Sequence, residues 1–278
     1  MSTGPRTDQG FDFLDLSCAI IGRVPRAGLY LDENRRATSI VDVTGVPESV
    51  QNSETFFPVL GQLLGREYSF GVPLIVGLED TEVSQFRLRA LGATASTAGS
   101  VRMFHMLGHT PEAEGAIDAS RKGEIPVRKL TTFDLLSYTN SLSKALPGAE
   151  VSAVCLGAPH ISFEEFALIA DLLVGRSVKE SVTFSATTSR ATVAQLEDRG
   201  LREVLEDAGM VIVADTCSYL GLIDVGQKGV CMTNSGKWAY YAPMGYPVTP
   251  VLGSLQECVE SAVVGKVVHL DGFWSDAR

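Results

Sequence analysis

Several familiar markers are missing from this sequence, and each absence removes a class of protein. There is no CxxC pair, and the five cysteines (Cys18, Cys155, Cys217, Cys231, Cys258) are odd in number and widely spread. A zinc ribbon and a disulfide framework are therefore not expected, and a lone thiol is more often a small buried hydrophobe. No HExxH, GxGxxG or GxSxG occurs, so a zinc protease, a dinucleotide-binding fold and an α/β-hydrolase lack their signatures. GVCMTNSGKW (229–238) faintly echoes a phosphate-binding P-loop. However, six residues rather than four separate Gly229 from Gly236, and Trp238 stands where Ser or Thr should hold magnesium. No apolar run approaches the ~18 residues needed to cross a bilayer. The N-terminal MSTGPRTDQG lacks a signal peptide's apolar stretch. A cytoplasmic protein with no membrane partner is expected. Basic charge is scarce too: 23 Lys and Arg stand against 33 Asp and Glu, a net charge of −10. Arg35-Arg36 and Arg121-Lys122 read as short solvated pairs, so no nucleic-acid partner is expected either.

The sequence does contain enough apolar material for a large core: 45% of its 278 residues are hydrophobic and 20% are charged. The second half alternates clearly. VSAVCLG (151–157), VTFSA (182–186) and MVIVAD (210–215) read as buried strands, and PVTPVL (247–252) as a last one. Between and after them, helices are expected at 162–175, 189–209 with a break at Gly200, from 234, and at 254–265. Ser162 with Glu165 forms a capping box, and Phe163, Phe166, Ile169, Ala170 and Leu173 make one apolar face. Strands without polar alternation, separated by helices, predict parallel-sheet layers covered by helices, an α/β fold. The first half is looser. A hairpin turning at Glu33-Asn34 is expected over 27–43, a helix over 55–68 despite Pro58, a strand at 72–78, a helix at 84–93 and a strand at 101–107. Polar residues 109–127 suggest a boundary, giving two α/β subdomains at 1–127 and 128–278, the second opened by a helix at 130–146.

In such sheets ligands bind beyond the carboxyl ends of the strands. Four turns there carry distinctive residues: Gly157-Ala158-Pro159-His160, Thr187-Thr188-Ser189-Arg190, Asp215-Thr216-Cys217 and Thr233-Asn234-Ser235-Gly236-Lys237. Helix N-termini suit carboxylates and phosphates. Lys237, in a first helical turn, opposes the helix dipole unless an anion compensates it. Thr188-Ser189 and Asn234-Ser235 also read as simple N-caps. Taken together they point to an anion site with Lys237, Ser235, Asn234, Ser189 and Arg190 as substrate-binding candidates. Cys217 is open to roles as nucleophile, metal ligand or packed thiol. His160 is open between acid–base work and bonding its own turn. His105 and His109 read as structural.

As a set, these turns resemble the catalytic large domain of the aconitase X family. The likeness rests on GRVPRAGLYLDENRRAT (22–38), LGAPHISFEE (156–165), ADTCSYL (214–220), MTNSGKWAYYAP (232–243) and GSLQECVESAVVGK (253–266), in register from about residue 10 to about residue 270. The resemblance implies an aconitase-like fold and an iron-dependent hydro-lyase. Such an enzyme removes water from a small hydroxylated carboxylic acid such as cis-3-hydroxy-L-proline or mevalonate 5-phosphate. Iron, as an iron-sulfur cluster or a mononuclear ion, would act as a Lewis acid on the departing hydroxyl. Family members hold it with three cysteines. The last of these falls on Cys217, and the family's substrate-binding lysine falls on Lys237. The second iron cysteine sits in LGCPH, and here that position is Ala158. Cys155, three residues back along a strand, lies about 10 Å away and is no obvious substitute. The first iron cysteine and the smaller swivelling domain, which in relatives supplies the catalytic base, are expected on segments outside this chain. No catalytic residue is assigned within it. Three readings stand open: part of a dehydratase completed by other segments, a non-catalytic relative binding a carboxylate or a partner subunit, or an iron-free enzyme using Lys237 and His160.

Overall fold

A computed structural model of the protein describes residues 4–10, 13–117, 123–219, 228–270 and 273. Arg121-Lys122 and Leu220 of ADTCSYL lie outside the described residues. Aliphatic runs build two parallel sheets. The first takes β1 (Ser39–Asp42), β2 (Pro73–Val76), β3 (His105–Met106) and β4 (Val127–Lys129) in the order β3-β2-β1-β4, with Val41 opposite Ile75 and Ile40 opposite Val127. The second takes β5 (Ala153–Leu156), β6 (Thr183–Thr188), β7 (Met210–Ala214), β8 (Gly229–Thr233) and β9 (Val248–Leu252) in the order β7-β6-β5-β8-β9. Every residue of β5 is buried, as a central strand covered on both faces requires.

Helices cover the sheets. In the first lobe these are α2 (Glu48–Gln51), α3 (Phe56–Glu67), α4 (Gln85–Ala98) and α5 (Thr132–Leu142), while α1 (Leu14–Ile21) buries none of its residues. The second lobe has α6 (Phe163–Leu172), α7 (Arg190–Asp198), α8 (Leu201–Asp207), α9 (Gly236–Gly245) and α10 (Leu255–Val264). Local chemistry sets their starts. Thr131 with Asp134, Ser162 with Glu165 and Ser254 with Glu257 form capping boxes on α5, α6 and α10. Pro58 is harmless because it sits in the first turn of α3, where its missing N–H has no helical partner to lose. Gly200, at φ 67°, divides α7 from α8.

Several expectations for the first half are corrected. Residues 27–43 form no hairpin: Gly28–Tyr30 and Asp32–Arg35 are 3₁₀ turns, and β1 pairs in parallel with β2 and β4. The turns are fixed by Arg35, which is buried, bonds the Leu29 carbonyl at 2.7 Å and forks onto Glu112 at 2.6 and 2.8 Å. The strand expected at 101–107 shrinks to β3. β4 pairs with β1, so the first sheet runs to Lys129. β8 and α1 were not expected at all.

The lobes share apolar packing. Ala239 of α9 and Leu252 of β9 are buried in the same cluster as Phe56, Phe57, Leu60 and Leu91 of the first lobe. A second cluster, with Val154, Phe166, Phe184 and Val259, fills the second lobe.

Candidate active site

The strand order of the second sheet reverses at β5: the chain runs outward through β6 and β7, then returns on the other side with β8 and β9. Such a reversal leaves a crevice beyond the carboxyl ends of the two strands that flank it. Here those ends are Gly157–His160 after β5 and Asn234–Lys237 after β8. Gly157 has a φ of 104°, and a Cβ there would lie 2.3 Å from the Thr187 hydroxyl, so the turn presses against β6 as only glycine permits. Thr187 donates to the Gly157 carbonyl at 2.8 Å and Thr188 to the Ile161 carbonyl at 2.6 Å. Ser235 caps α9 by accepting from Trp238 N–H at 3.0 Å and donates to the Ala158 carbonyl, joining the two turns across the crevice.

Against this edge stands the first lobe, and the space between is a cavity of about 150 Å³. Asn234, Ser235, Gly236 and Lys237 line it from α9, Glu164 and Glu165 from α6, Leu255 from α10, and Phe86, Arg87 and Arg89 from α4, with Glu54 beside them. Four helix starts therefore face one cavity, an arrangement that favours negative charge. Most of its charged groups are already engaged. Arg89 pairs with Glu165 at 2.7 Å, bridging the lobes. Arg87 donates to the Asn52 carbonyl at 2.6 Å and lies over the Phe57 ring. Glu54 accepts the Leu255 N–H at 2.9 Å. Lys237 is exposed and has no partner among the described residues.

Three of the five substrate-binding candidates, Asn234, Ser235 and Lys237, line this cavity; Ser189 and Arg190 are not among its walls. Ser189 caps α7, accepting from Thr192 N–H at 3.1 Å. Arg190 is committed to Asp215 through its backbone N–H, at 3.0 Å, and its guanidinium. Together these two contacts hold the Asp215 carboxyl below its usual range. The groups that local sequence did not reveal, Arg87, Arg89 and Glu54, come from the other lobe. One signal for Arg87 was present: like Lys237, it is a cation in the first turn of a capped helix.

Cys217 follows β7, partly buried against the cluster of Ala153, Cys155, Ala158, Cys231 and Trp238. His160 bonds the Thr216 carbonyl at 2.7 Å and so ties the β5 turn to the thiol's turn. His105 and His109 bond the Arg35 and Leu78 carbonyls at 2.6 and 2.7 Å. The donor set around Cys217 does not fit an iron site. Ala158 offers a methyl group, and the Cys155 and Cys231 side chains are fully buried within β5 and β8, burial pushing their thiols up to about 12. Among the described residues no group of three or more His, Cys, Asp or Glu side chains is placed to hold a metal ion. No helix among them is long and apolar enough to cross a membrane.

A reversal-point crevice facing a second parallel-sheet lobe defines a two-lobed α/β protein. The aconitase X second domain matches residues 37–135 and the aconitase X third domain residues 151–264. The chain belongs to the aconitase X family. It is 37% identical over 95% of its length to cis-3-hydroxy-L-proline dehydratase of Pseudomonas aeruginosa, covering 45% of that protein. With the phosphomevalonate dehydratase large subunit of Methanocaldococcus jannaschii it shares 30% identity over 88% of its length, 60% of the relative's. The holo-form crystal structure of Thermococcus kodakaraensis aconitase X superposes with a TM-score of 0.74 at 30% identity, over 89% of this chain and 60% of that one. The chain thus spans about half the length of the curated relatives it matches, 45% and 60% of these two.

Proposed function

We propose that this chain forms the anion-binding wall of a hydro-lyase that removes water from a small hydroxylated carboxylic acid. The observation that carries the reading is the Lys237 ammonium, without a partner among the described residues, in the reversal-point crevice beside Asn234 and the capped start of α9. A substrate carboxylate set there gains a charge-assisted contact and the helix's positive end. The relatives' names supply the acids, cis-3-hydroxy-L-proline and phosphomevalonate. Iron chemistry is typical of aconitase-like dehydratases, and completing an iron site around Cys217 requires donors beyond those described here. No step is therefore assigned to iron. The reading extends to a cytoplasmic location and, from the relatives called large subunits, to a small-subunit partner. Ala158 in the place of a ligating cysteine favours a second reading, a relative that binds such acids without turning them over.

Thermal unfolding of the chain with each acid, alongside an assay for dehydrated product with iron(II) supplied, tests both. A bound acid at ~100 times its Kd should stabilise by about 2.7 kcal/mol, and Lys237→Ala should remove that gain. Lys237-dependent product formation supports the hydro-lyase. Lys237-dependent stabilisation without product supports the second reading, and no stabilisation by either acid overturns both.

A further inference from the structure

The charges left over in the cavity specify more than an anion. Once the engaged groups are set aside, with Arg89 on Glu165, Arg87 on the Asn52 carbonyl and Glu54 on the Leu255 N–H, two ionised side chains remain without a partner among the described residues. They are Lys237, second residue of α9, and Glu164, second residue of α6; both line the same cavity. One free cation and one free carboxylate on separate helices complement a ligand that carries one charge of each sign. A phosphorylated acid would bring about three negative charges to a single free cation and meet Glu164 as a repulsion. Phe86, Pro159 and Leu168 line the same cavity, apolar surface that suits a saturated carbon body.

Resting on the reading of this cavity as the substrate site, we infer that Glu164 is a specificity residue that accepts the ammonium of a zwitterionic α-amino or imino acid, while Lys237 takes its carboxylate. Glu164 has a plainer use, since a carboxylate in a first helical turn is stabilised by the dipole whatever the ligand. The two roles separate by experiment. Calorimetric titration of the full chain compares cis-3-hydroxy-L-proline, its carbocyclic analogue with CH₂ in place of the ring nitrogen, and mevalonate 5-phosphate.

Wild-type chain should bind the imino acid more tightly than the carbocycle. Glu164→Gln should weaken the imino acid roughly five- to tenfold and leave the carbocycle unchanged, a charged contact discounted for its exposure. Glu164→Asp should recover part of the loss, and Lys237→Ala should weaken both ligands. Equal effects of Glu164→Gln on both ligands, or no effect on either, overturn the assignment. Preferential, Lys237-dependent binding of mevalonate 5-phosphate overturns it too, but leaves the hydro-lyase reading standing. Binding of none of the three by the wild-type chain overturns both.

Discussion

Among the cysteines, the site's chemistry turns on which sulfur can be a thiolate. Cys155 lies on β5 and Cys231 on β8, both fully buried; desolvation pushes each thiol up to about 12, with the neighbouring Cys155 adding to the rise at Cys231. The Ser185 hydroxyl, donating to Cys155 Sγ at 3.8 Å, opposes this only weakly. Cys258 is raised as well, by burial and by the Glu257 and Glu54 carboxylates near it. A thiol raised that far is scarcely ionised at pH 8 and does not attack as a free nucleophile. Iodoacetamide at pH 8 should therefore modify Cys18 and Cys217, which are partly exposed, and spare the other three until the chain is unfolded. Peptide mass spectrometry reads this directly, and prompt labelling of Cys155 would reopen it as a metal ligand. That position 158 is an alanine, with no sulfur to offer, is read from the sequence alone. The inertness of Cys155 was visible only as a distance along a strand, and its burial supplies the physical reason.

At the scale of elements, what the sequence disclosed was whatever is encoded locally. The capping box of α6 and the break at Gly200 are fixed by residues within a turn of one another, and each stands where the local sequence placed it. β8 escaped because GVCMT is short, opens on glycine and has no flanking pattern of its own; it is a strand because β5 and β9 lie on either side of it. The 27–43 segment was misread because its determinant, the fork of Arg35 onto Glu112, spans 77 positions. Likewise Lys237 could be picked out by its conflict with a helix dipole, whereas Arg89 and Glu54 join the site through tertiary packing that no local pattern records.

The α3–α4 pair shows the same long-range control. A Cβ at Gly61 would stand 2.5 Å from the Leu91 carbonyl oxygen, a backbone atom that cannot rotate aside. Helix propensity alone favours Gly61→Ala by about 1 kcal/mol, but overpacking costs typically 1–3 kcal/mol or more, and the contact is with backbone. Urea titration should find the variant less stable by about 1–2 kcal/mol. A stabilised variant would mean that glycine does not set the spacing of these helices.

For the whole molecule, the cavity's shape depends on two lobes held as one body. Lobes joined by a polar seam move and unfold separately, whereas a shared apolar core couples them. Here Ala239 and Leu252 of the second lobe are fully buried among first-lobe residues, and the start of α9 presses on α3 and α4. A Cβ at Gly236 would lie 2.4 Å from the Thr94 hydroxyl and 2.9 Å from Pro58 Cβ. The ion pair Arg89 to Glu165 between the lobes is partly exposed, and pairs of that kind contribute only about 0.2–1 kcal/mol. The apolar seam, not the ion pair, should therefore set cooperativity. Far-UV circular dichroism and tryptophan fluorescence should report one coincident urea transition for the wild-type chain and for Arg89→Gln. Gly236→Ala, which wedges α9 from α4 at the edge of the cavity, should pull the two curves apart and weaken carboxylate binding at Lys237 along with them. Separate transitions in the wild-type chain would mean that the lobes are independent. The cavity between them would then be assembled only when a ligand or partner draws them together.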